Sequence, residues 1–392
     1  MTPAAPLSGL RVVELARILA GPWAGQVLAD LGADVIKLES PEGDDTRRWG
    51  PPFIDNPDGS QDAAYYHACN RGKRSVMVDF RTADGQSTVR ALAQDADVLI
   101  ENFKVGGLAK YGLDYATLSA LNPRLVYCSI TGFGQDGPYA HRPGYDFIIQ
   151  GMGGIMDLTG EPAGAPQKSG VAFADIFTGL YSVIAIQAAL AQRAQTGCGQ
   201  HIDMALLDVM TGVLANQALN YFVSGQTPPR MGNAHINVSP YAVFPCADGW
   251  FILAVGNDGQ FQRFCAALGL TDLATDARYT SNAGRLEHRA SLFDAIRAAT
   301  SKIPRDAVLA TLEAAGVPVG PINTVEQAFA DPQVIHRAMR IAVERDGDTL
   351  PGLRTPIRFS DAALALGKAA PLLGSTDVGG LRWAPRTDTQ LV

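Results

Sequence analysis

The chain has 392 residues, of which 47% are hydrophobic and 18% charged, and its formal net charge is -7. This composition is typical of a soluble globular protein with enough residues for two domains. The negative net charge excludes the overall basic field that nucleic-acid binding needs, so local positive groups must bind any anionic ligand.

The cysteines and the apolar segments indicate a protein of the cytoplasm. The 5 cysteines include no CxxC pair, and none has a neighbouring histidine at metal spacing. An odd number fits free thiols better than a disulfide framework. The first 10 residues lack the basic start and apolar run of a signal peptide. The most apolar segment, 181–191, is too short to span a bilayer. We therefore expect no membrane segment and no metal site.

The N-terminal part alternates between predicted strands and helices. A strand at 10–15, a helix that Pro22 starts and Gly32 ends, and a strand at 34–39 form a βαβ unit. Such a unit predicts an α/β fold with parallel strands and helices on both faces of the sheet. The first turn lacks the G-x-G-x-x-G fingerprint. Its N–H groups could bind a pyrophosphate, or the turn could only redirect the chain.

A basic cluster, N-R-G-K-R at 70–74, precedes the next predicted strand, 75–80. Most charge runs are solvated, and that interpretation stays open here. Alternatively, Lys73 and Arg74 hold a phosphate-bearing ligand of this acidic protein. Asn102 follows the strand after that, at the carboxyl end where open α/β sheets bind ligands.

Asp175 lies between an apolar run, 171–174, which we interpret as a strand, and an alanine-rich helix that Gly197 ends. One interpretation makes it the helix N-cap, which stabilises by about 0.5 to 2 kcal/mol. The other makes it a covalent nucleophile, because the positive end of a helix keeps a carboxylate ionised. The local sequence leaves both open.

The second half of the chain begins with a long predicted helix at 203–223 and a linker. Two predicted strands, 241–246 and 250–255, then flank Asp248-Gly249, a strong hairpin signal. The helices that follow indicate a smaller α+β domain. We divide the chain into a large domain at 1–224, the small domain at 225–330, and a segment at 331–392 that completes the large domain.

Motifs spread over nearly the whole chain resemble the class III coenzyme A transferases. They are L-x-G-L-R-V-V-E-L at 7–15, A-G-P at 20–22, L-G-A-D-V-I-K-L-E at 31–39, K-R-S at 73–75, E-N-F at 101–103, N-P-R-L-V-Y at 122–127, A-D-I-F-T-G at 174–179 and T-G-x-G-Q at 196–200. The resemblance implies a Rossmann-like large domain with an inserted smaller α+β domain. It also implies that two chains interlock as a homodimer.

The resemblance further implies that Asp175 attacks an acyl-CoA thioester, and that CoA passes through aspartyl anhydride and aspartyl-CoA thioester intermediates. Coenzyme A is then a substrate, and no tightly bound cofactor is expected. The residues expected to contact it, including the basic cluster, are Leu19, Ala20, Lys73, Arg74, Val78, Asp79, Phe80, Arg81, Asn102, Phe103, Lys104, Lys110, Tyr145 and Asp146. Pro143 and Ser40 replace a lysine and an arginine of some relatives, which removes single contacts.

Tyr145 favours CoA transfer over racemisation. It stands in G-Y-D, where the racemases of the family have a histidine as an acid/base group. A phenol with a pKa of about 10 is a poor substitute for an imidazole at about 6.5. The alternatives are an acyl-CoA racemase or a non-catalytic CoA-binding protein in which Asp175 is only a helix cap.

The loop at 232–240 resembles relatives that act on larger dicarboxylates. His235 and Asn237 could hydrogen-bond a distal carboxylate, although His235 could equally be a loop histidine satisfied by backbone groups. Arg47 and Arg48 are alternative anchors, because guanidinium groups bind carboxylates bidentately. We expect a succinyl-CoA-type donor and a small dicarboxylic acid acceptor.

Overall fold

The computed structural model describes residues 4–345 and 347–386. Within them the chain forms two compact units. The first contains residues 4–155, 168–222 and the described residues from 332 onward, and the second contains 156–167 and 223–331. The segment 156–167, which the sequence division places in the large domain, therefore belongs to the second unit.

The strands of the described residues are β1 (Arg11–Glu14), β2 (Asp34–Glu39), β3 (Phe53–Asp55), β4 (Gln61–Ala63), β5 (Arg74–Met77), β6 (Val98–Glu101), β7 (Val126–Thr131), β8 (His201–Ala205), β9 (Tyr241–Cys246), β10 (Gly249–Ala254), β11 (Val319–Pro321), β12 (Arg340–Arg345) and β13 (Asp348–Leu353). The α-helices are α1 (Ala20–Asp30), α2 (Ala64–His67), α3 (Ala83–Asp95), α4 (Tyr115–Leu121), α5 (Asp146–Met152), α6 (Ile155–Leu158), α7 (Phe173–Thr196), α8 (Leu206–Gly212), α9 (Asn216–Ser224), α10 (Asp258–Ala267), α11 (Thr271–Thr275), α12 (Asn282–Glu287), α13 (Arg289–Thr300), α14 (Arg305–Ala314), α15 (Val325–Ala330) and α16 (Pro332–His336).

The first unit is built on a six-stranded parallel sheet with the order β5-β2-β1-β6-β7-β8. The predicted βαβ start is confirmed, since β1 pairs with β2 in parallel and α1 connects them. The order of the strands changes direction between β1 and β6. Ligands of open α/β sheets bind at such a switch point, outside the carboxyl ends of the strands.

Helices cover both faces of this sheet because its strands are apolar on both sides. On one face, Val12, Val98 and Cys128 pack in a core with residues of α1 and α7. On the other, Val13 and Leu99 pack in a core with residues of α3 and α4. This architecture confirms the predicted α/β class with a Rossmann-like sheet.

The edge strand β8 was not predicted. One long helix was predicted at 203–223, whereas the chain first pairs with β7, with Tyr127 opposite His201, and then forms α8 and α9. The side chains of Ser129 and His201 hydrogen-bond across this pair at 2.9 Å. Strand β8 is short and half-buried, so its partner strand decides its conformation more than its own composition does.

The central helix α7 has 24 residues and, by length and composition alone, could cross a membrane. The apolar segment 181–191, predicted to be too short to span a bilayer, is therefore part of a longer helix, and that prediction is wrong about its length. The buried residues of α7, among them Val183 and Ile186, pack in the core on the sheet. This placement is that of a core helix.

The second unit contains an antiparallel sheet in the order β11-β10-β9. The predicted hairpin is confirmed, since β9 and β10 pair with Cys246 opposite Gly249. Helices α10, α13 and α14 cover the sheet, and their core contains Phe244, Phe251 and Phe264. The unit is therefore an α+β fold, as expected.

Candidate active site

A cavity of about 620 Å³ opens at the carboxyl ends of β1 and β6, at the switch point of the parallel sheet. All residues that line it belong to the first unit. Asp175 is among them, and so are most of the residues expected to contact CoA: Leu19, Ala20, Val78, Asp79, Phe80, Arg81, Asn102, Phe103, Lys104, Lys110, Tyr145 and Asp146. The fold thus brings together side chains from segments far apart in the sequence.

Asp175 is the third residue of α7 and not its N-cap. The N-cap is Ala172, and no side chain caps this helix end from within its own segment. The residues before the helix form no strand, so the predicted strand at 171–174 is wrong. The N-cap interpretation of Asp175 is also wrong, and its carboxylate is left to face the cavity.

The carboxylate of Asp146 satisfies the start of α7 in place of a local cap. Its Oδ1 accepts hydrogen bonds from the backbone N–H groups of Ala174 at 2.8 Å and Asp175 at 3.3 Å. The N–H groups of Phe173 and Ile176 donate to backbone carbonyl groups. The first turn of α7 therefore has its donors occupied, and donors for a thioester oxyanion must come from other parts of the cavity.

Burial raises the pKa of Asp175 to about 7, and the negative charge of Asp146 adds to this rise. The sequence analysis expects the positive end of the helix to keep Asp175 ionised. Because Asp146 already lies at that helix end, the expectation is not met in full, and the pKa of Asp175 is raised toward neutral pH instead of being held low. A carboxyl group with this pKa in a ligand-sized cavity is a candidate functional group.

Tyr65 is a neighbour of Asp175 that the sequence analysis missed. Burial raises the pKa of its phenol to about 12, and the negative charge of Asp175 is the next cause. The ring of Tyr65 packs edge-on against Trp49, with 5.4 Å between the centroids. Tyr65 is therefore a neutral phenol with an O–H donor at neutral pH. It lies in the short helix α2, and nothing in its local sequence pattern signals proximity to Asp175.

Gly179 allows α7 to approach the first turn of α1 closely. A Cβ atom on Gly179 would lie 2.7 Å from the carbonyl oxygen of Ala20 and 3.1 Å from side-chain atoms of Trp23. No larger residue fits this contact without displacing backbone. The glycine of the A-D-I-F-T-G motif thus brings Asp175 and the cavity-lining Ala20 to the same site.

Aromatic and basic side chains line another part of the cavity. The ring of Phe80 lies edge-on to Phe103 and to Tyr111, with 5.3 Å between centroids in each case. The Nζ atom of Lys110 is 4.8 Å from the centroid of Tyr111. Lys104 is a further cation in the lining. This part of the cavity can stack a planar ring and attract phosphate groups.

Two of the predicted CoA contacts need correction. Lys73 is buried, and its Nζ lies 2.8 Å from Glu14 Oε2. Arg74 forms an ion pair with Asp34 at 2.6 Å. Neither lines the cavity. The basic cluster at 70–74 is therefore neither a solvated charge run nor a phosphate site, because its cations compensate carboxylates of the sheet.

Arg47, predicted as a carboxylate anchor, is also committed to the interior. Its guanidinium pairs with Glu39 at 2.7 Å and with Asp62 at 2.9 Å, and it lies over the ring of Tyr66. Arg48 is more exposed and pairs with Asp45 at 3.3 Å. Neither lines the cavity.

His235 and Asn237 lie in the second unit. The Nδ1 atom of His235 accepts a hydrogen bond from the backbone N–H of Asn237 at 3.0 Å. The ring packs against Tyr241, with centroids 5.3 Å apart. This geometry agrees with the alternative in which the loop backbone satisfies the histidine, and leaves Nε2 as its second polar atom. Their contact with substrate stays a prediction.

Comparison with known proteins matches residues 7–377 to the family model described as "CoA-transferase family III". A succinate–glutarate CoA-transferase of Agrobacterium fabrum is 59% identical over 94% of this chain and 93% of its own. A succinyl-CoA:glutarate CoA-transferase of Mus musculus is 39% identical over 94% of this chain and 84% of its own. The crystal structure of a CAIB/BAIF family protein from Brucella suis has 64% identity and a TM-score of 0.85, covering 95% of this chain and 97% of that one.

Proposed function

This chain belongs to CoA-transferase family III, and we propose that Asp175 is the nucleophile through which it transfers CoA between an acyl-CoA and a carboxylic acid. The observation that carries the proposal is the placement of Asp175. Its carboxyl group faces a cavity of about 620 Å³ that contains most of the residues expected to bind CoA. Its pKa of about 7 provides both the ionised nucleophile and a basic carboxylate near neutral pH.

The reaction proceeds in two symmetrical halves. The Asp175 carboxylate attacks the thioester carbonyl of the donor, and the C–S bond breaks to give a mixed anhydride and CoA thiolate. The thiolate then attacks the Asp175 carbonyl of the anhydride, which releases the donor acid and leaves an aspartyl-CoA thioester. The acceptor carboxylate attacks this thioester, which gives a second mixed anhydride and releases CoA thiolate. The thiolate then attacks the acceptor carbonyl of that anhydride, which forms the new acyl-CoA and regenerates the Asp175 carboxylate. No water takes part, so the cavity must exclude it.

The substrates we propose are a succinyl-CoA-type donor and a small dicarboxylic acid acceptor. This rests on the similarity to relatives named for succinate, succinyl-CoA and glutarate. His235 and Asn237 remain the proposed contacts of the distal carboxylate, while the buried Arg47 is not one. We further propose an enzyme without a tightly bound cofactor, because Asp175, the CoA thiol and the two substrate carboxyl groups supply every group that changes bonds. Its proposed location is the cytoplasm, for which the odd number of cysteines without a CxxC pair is the support.

The CoA moiety of the substrate lies, in this proposal, along the carboxyl ends of the strands. The rings of Phe80 and Phe103 offer apolar area for a planar base. Lys104 and Lys110 provide the positive charge for its phosphates, whereas Arg81, also in the lining, is paired with Asp79 at 2.7 Å. This positive charge is local, as the net charge of -7 requires.

We also propose that two copies of the chain associate. Large hydrophobic side chains of the first unit are exposed on three helices: Phe147, Ile148 and Met152 on α5, Leu180, Tyr181 and Ile184 on the neighbouring α7, and Leu219, Tyr221 and Phe222 on α9. Apolar patches of this kind mark protein interfaces. A second copy that covers them would form the homodimer that the family resemblance implies, and light scattering after size exclusion measures its mass.

Intact-protein mass spectrometry tests the nucleophile. After incubation with succinyl-CoA, we expect an adduct whose mass exceeds that of the protein by CoA minus water, and which borohydride or hydroxylamine traps at Asp175. The variant Asp175→Asn, matched in size, forms no adduct. A wild-type protein that binds acyl-CoA donors yet forms no adduct with any of them would refute the covalent mechanism. Deuterium exchange at the α-carbon without CoA transfer would instead identify a racemase.

A further inference from the structure

Ile18, in the turn between β1 and α1, has an uncommon backbone conformation. Its φ angle is 72°, in the left-handed region that β-branched residues rarely adopt. Ile18 lines the cavity next to Leu19 and Ala20. Residues in such conformations persist only where the surrounding structure holds them, and they cluster at functional sites. The groups that hold Ile18 are therefore of interest.

The side chains of Asp44 and Asn102 bind two successive residues of this turn. The N–H of Ile18 donates to both carboxylate oxygens of Asp44, each at 3.3 Å. The preceding residue, Arg17, is held by Asn102, whose side chain accepts from its N–H at 2.9 Å and donates to its carbonyl at 2.7 Å. Asn102 lines the cavity, whereas Asp44 lies behind the turn and is 1% exposed.

Asp44 can act as a fixed negative group because Lys37 is paired with it. The Lys37 Nζ lies 2.9 Å from Asp44 Oδ2. Burial by itself raises the pKa of Asp44, but the charge of Lys37 and hydrogen bonds from Lys37 and Thr46 outweigh it and hold the pKa at about 2. The carboxylate therefore accepts the hydrogen bond from Ile18 throughout the neutral pH range.

The pair belongs to a buried chain of alternating charges that contacts the same turn at other points. Lys37 also binds Glu14 at 3.1 Å and donates to the carbonyl of Ala16 at 2.8 Å. Glu14 in turn binds Lys73, which donates to the carbonyl of Pro22 at 2.8 Å. The buried charges thus hold backbone groups within the turn and at the start of α1. The proposed reaction uses none of them.

We propose that Asp44 is a positioning residue for catalysis: its carboxylate keeps Ile18 in the left-handed conformation and so fixes the wall of the CoA cavity formed by the β1–α1 turn. Asp44 lies outside the cavity and touches no substrate. The inference rests on the proposed function insofar as the cavity is the CoA site. It assigns a role to a buried ion pair beyond its contribution to stability.

A rescue experiment separates positioning from stability. Glycine adopts positive φ without the steric cost that isoleucine has. When Asp44 is lost, Ile18→Gly should therefore restore the conformation of the turn, but not the stability that is lost by leaving Lys37 buried without its partner. We would measure the dissociation constant for CoA by calorimetry, kcat/KM for succinyl-CoA, and Tm. The variants are Asp44→Ala and Ile18→Gly, singly and combined. The matched control is Asp62→Ala with and without Ile18→Gly, since Asp62 is a buried carboxylate whose partners, Arg47 at 2.9 Å and Asn56 at 3.0 Å, lie outside the turn.

We expect Asp44→Ala to raise the dissociation constant for CoA at least tenfold, and Ile18→Gly to recover at least fivefold of this without recovering Tm. In the Asp62→Ala background Ile18→Gly should recover nothing. Absence of rescue, or equal rescue in both backgrounds, overturns the inference. If Asp44→Ala does not fold, Asp44→Asn takes its place with the same criteria. A wild-type protein that binds CoA but forms no adduct refutes only the proposed nucleophile, because the dissociation constants of the Asp44 and Ile18 variants still test the role of Asp44.

Discussion

The carboxyl groups of Asp146 and Asp175 share one cavity, and the negative charge of Asp146 adds to burial in raising the pKa of Asp175 to about 7. Asp146 also accepts the backbone N–H groups of Ala174 and Asp175. One residue therefore holds the start of α7 and tunes the nucleophile that α7 carries. This double role can be tested.

The substitution Asp146→Asn removes the charge and keeps an oxygen that can accept the backbone N–H groups. We expect the pKa of Asp175 to fall below about 7. In the wild type, the acidic limb of the pH profile of kcat/KM rises through about pH 7 as Asp175 ionises. In Asp146→Asn this limb should shift to lower pH. Its measurement needs steady-state rates from about pH 5 to pH 9. The control Asp84→Asn, at the exposed start of α3, should leave the limb in place, and an unshifted limb in Asp146→Asn would contradict the electrostatic role.

The substitution Asp175→Asn should stabilise the protein while it abolishes transfer. Asp175 keeps its proton up to about pH 7 in the folded chain but has an ordinary pKa of 3.8 when unfolded. Between these values the folded state binds more protons, so its stability falls as pH rises. The neutral amide avoids this loss. We expect the free energy of unfolding to increase by about 1 to 4 kcal/mol above pH 7, because one pKa unit corresponds to about 1.4 kcal/mol.

Denaturant unfolding at several pH values measures this difference. At about pH 3, below the ordinary pKa of 3.8, aspartate and asparagine at position 175 are both largely neutral in the folded and unfolded chains, so most of the advantage of Asp175→Asn should disappear there. An advantage of equal size at pH 3 and pH 8 would show that it does not arise from the ionisation of Asp175.

Gly179→Ala should destabilise the protein and reduce activity. The new Cβ would lie 2.7 Å from the Ala20 carbonyl oxygen, and overpacking of this kind costs about 1 to 3 kcal/mol. We expect KM for the acyl-CoA to rise as well, because Ala20 lines the cavity. The control is Gly212→Ala in α8, where a Cβ would meet nothing within 4 Å. That change should stabilise by up to about 1 kcal/mol, since alanine favours helix. Equal effects of the two substitutions would rule out a packing role specific to Gly179.

Arg47→Met tests the correction made for the predicted carboxylate anchor. Removing one partner leaves Glu39 and Asp62 buried without their cation, and such losses cost about 3 to 5 kcal/mol. We expect a lower free energy of unfolding, measured with denaturant. The ratio of kcat/KM values for acceptors of different length should stay unchanged in protein that remains folded. A changed acceptor preference would restore Arg47 as a substrate contact.

Local patterns in the sequence were sufficient for most elements of the sheet. Strand β2 has the predicted bounds, 34–39, and the hairpin of β9 and β10 forms where Asp248-Gly249 signals it. Their periodicity and turn residues act over short distances, so no tertiary information is needed to predict them. Strand β8 was missed because its pairing with β7 outweighs the helical pattern around it.

Ordered motifs and periodicity are properties of the chain, so the family, the α/β class and the importance of Asp175 could be predicted without coordinates. Which charged groups are available to a ligand could not be predicted in this way, because it depends on tertiary contacts. Lys73 and Arg47 carry the right charge for an anion but are buried against Glu14 and Glu39. Burial and the partner of a charge depend on residues distant in the chain, and these also set the pKa of Asp175.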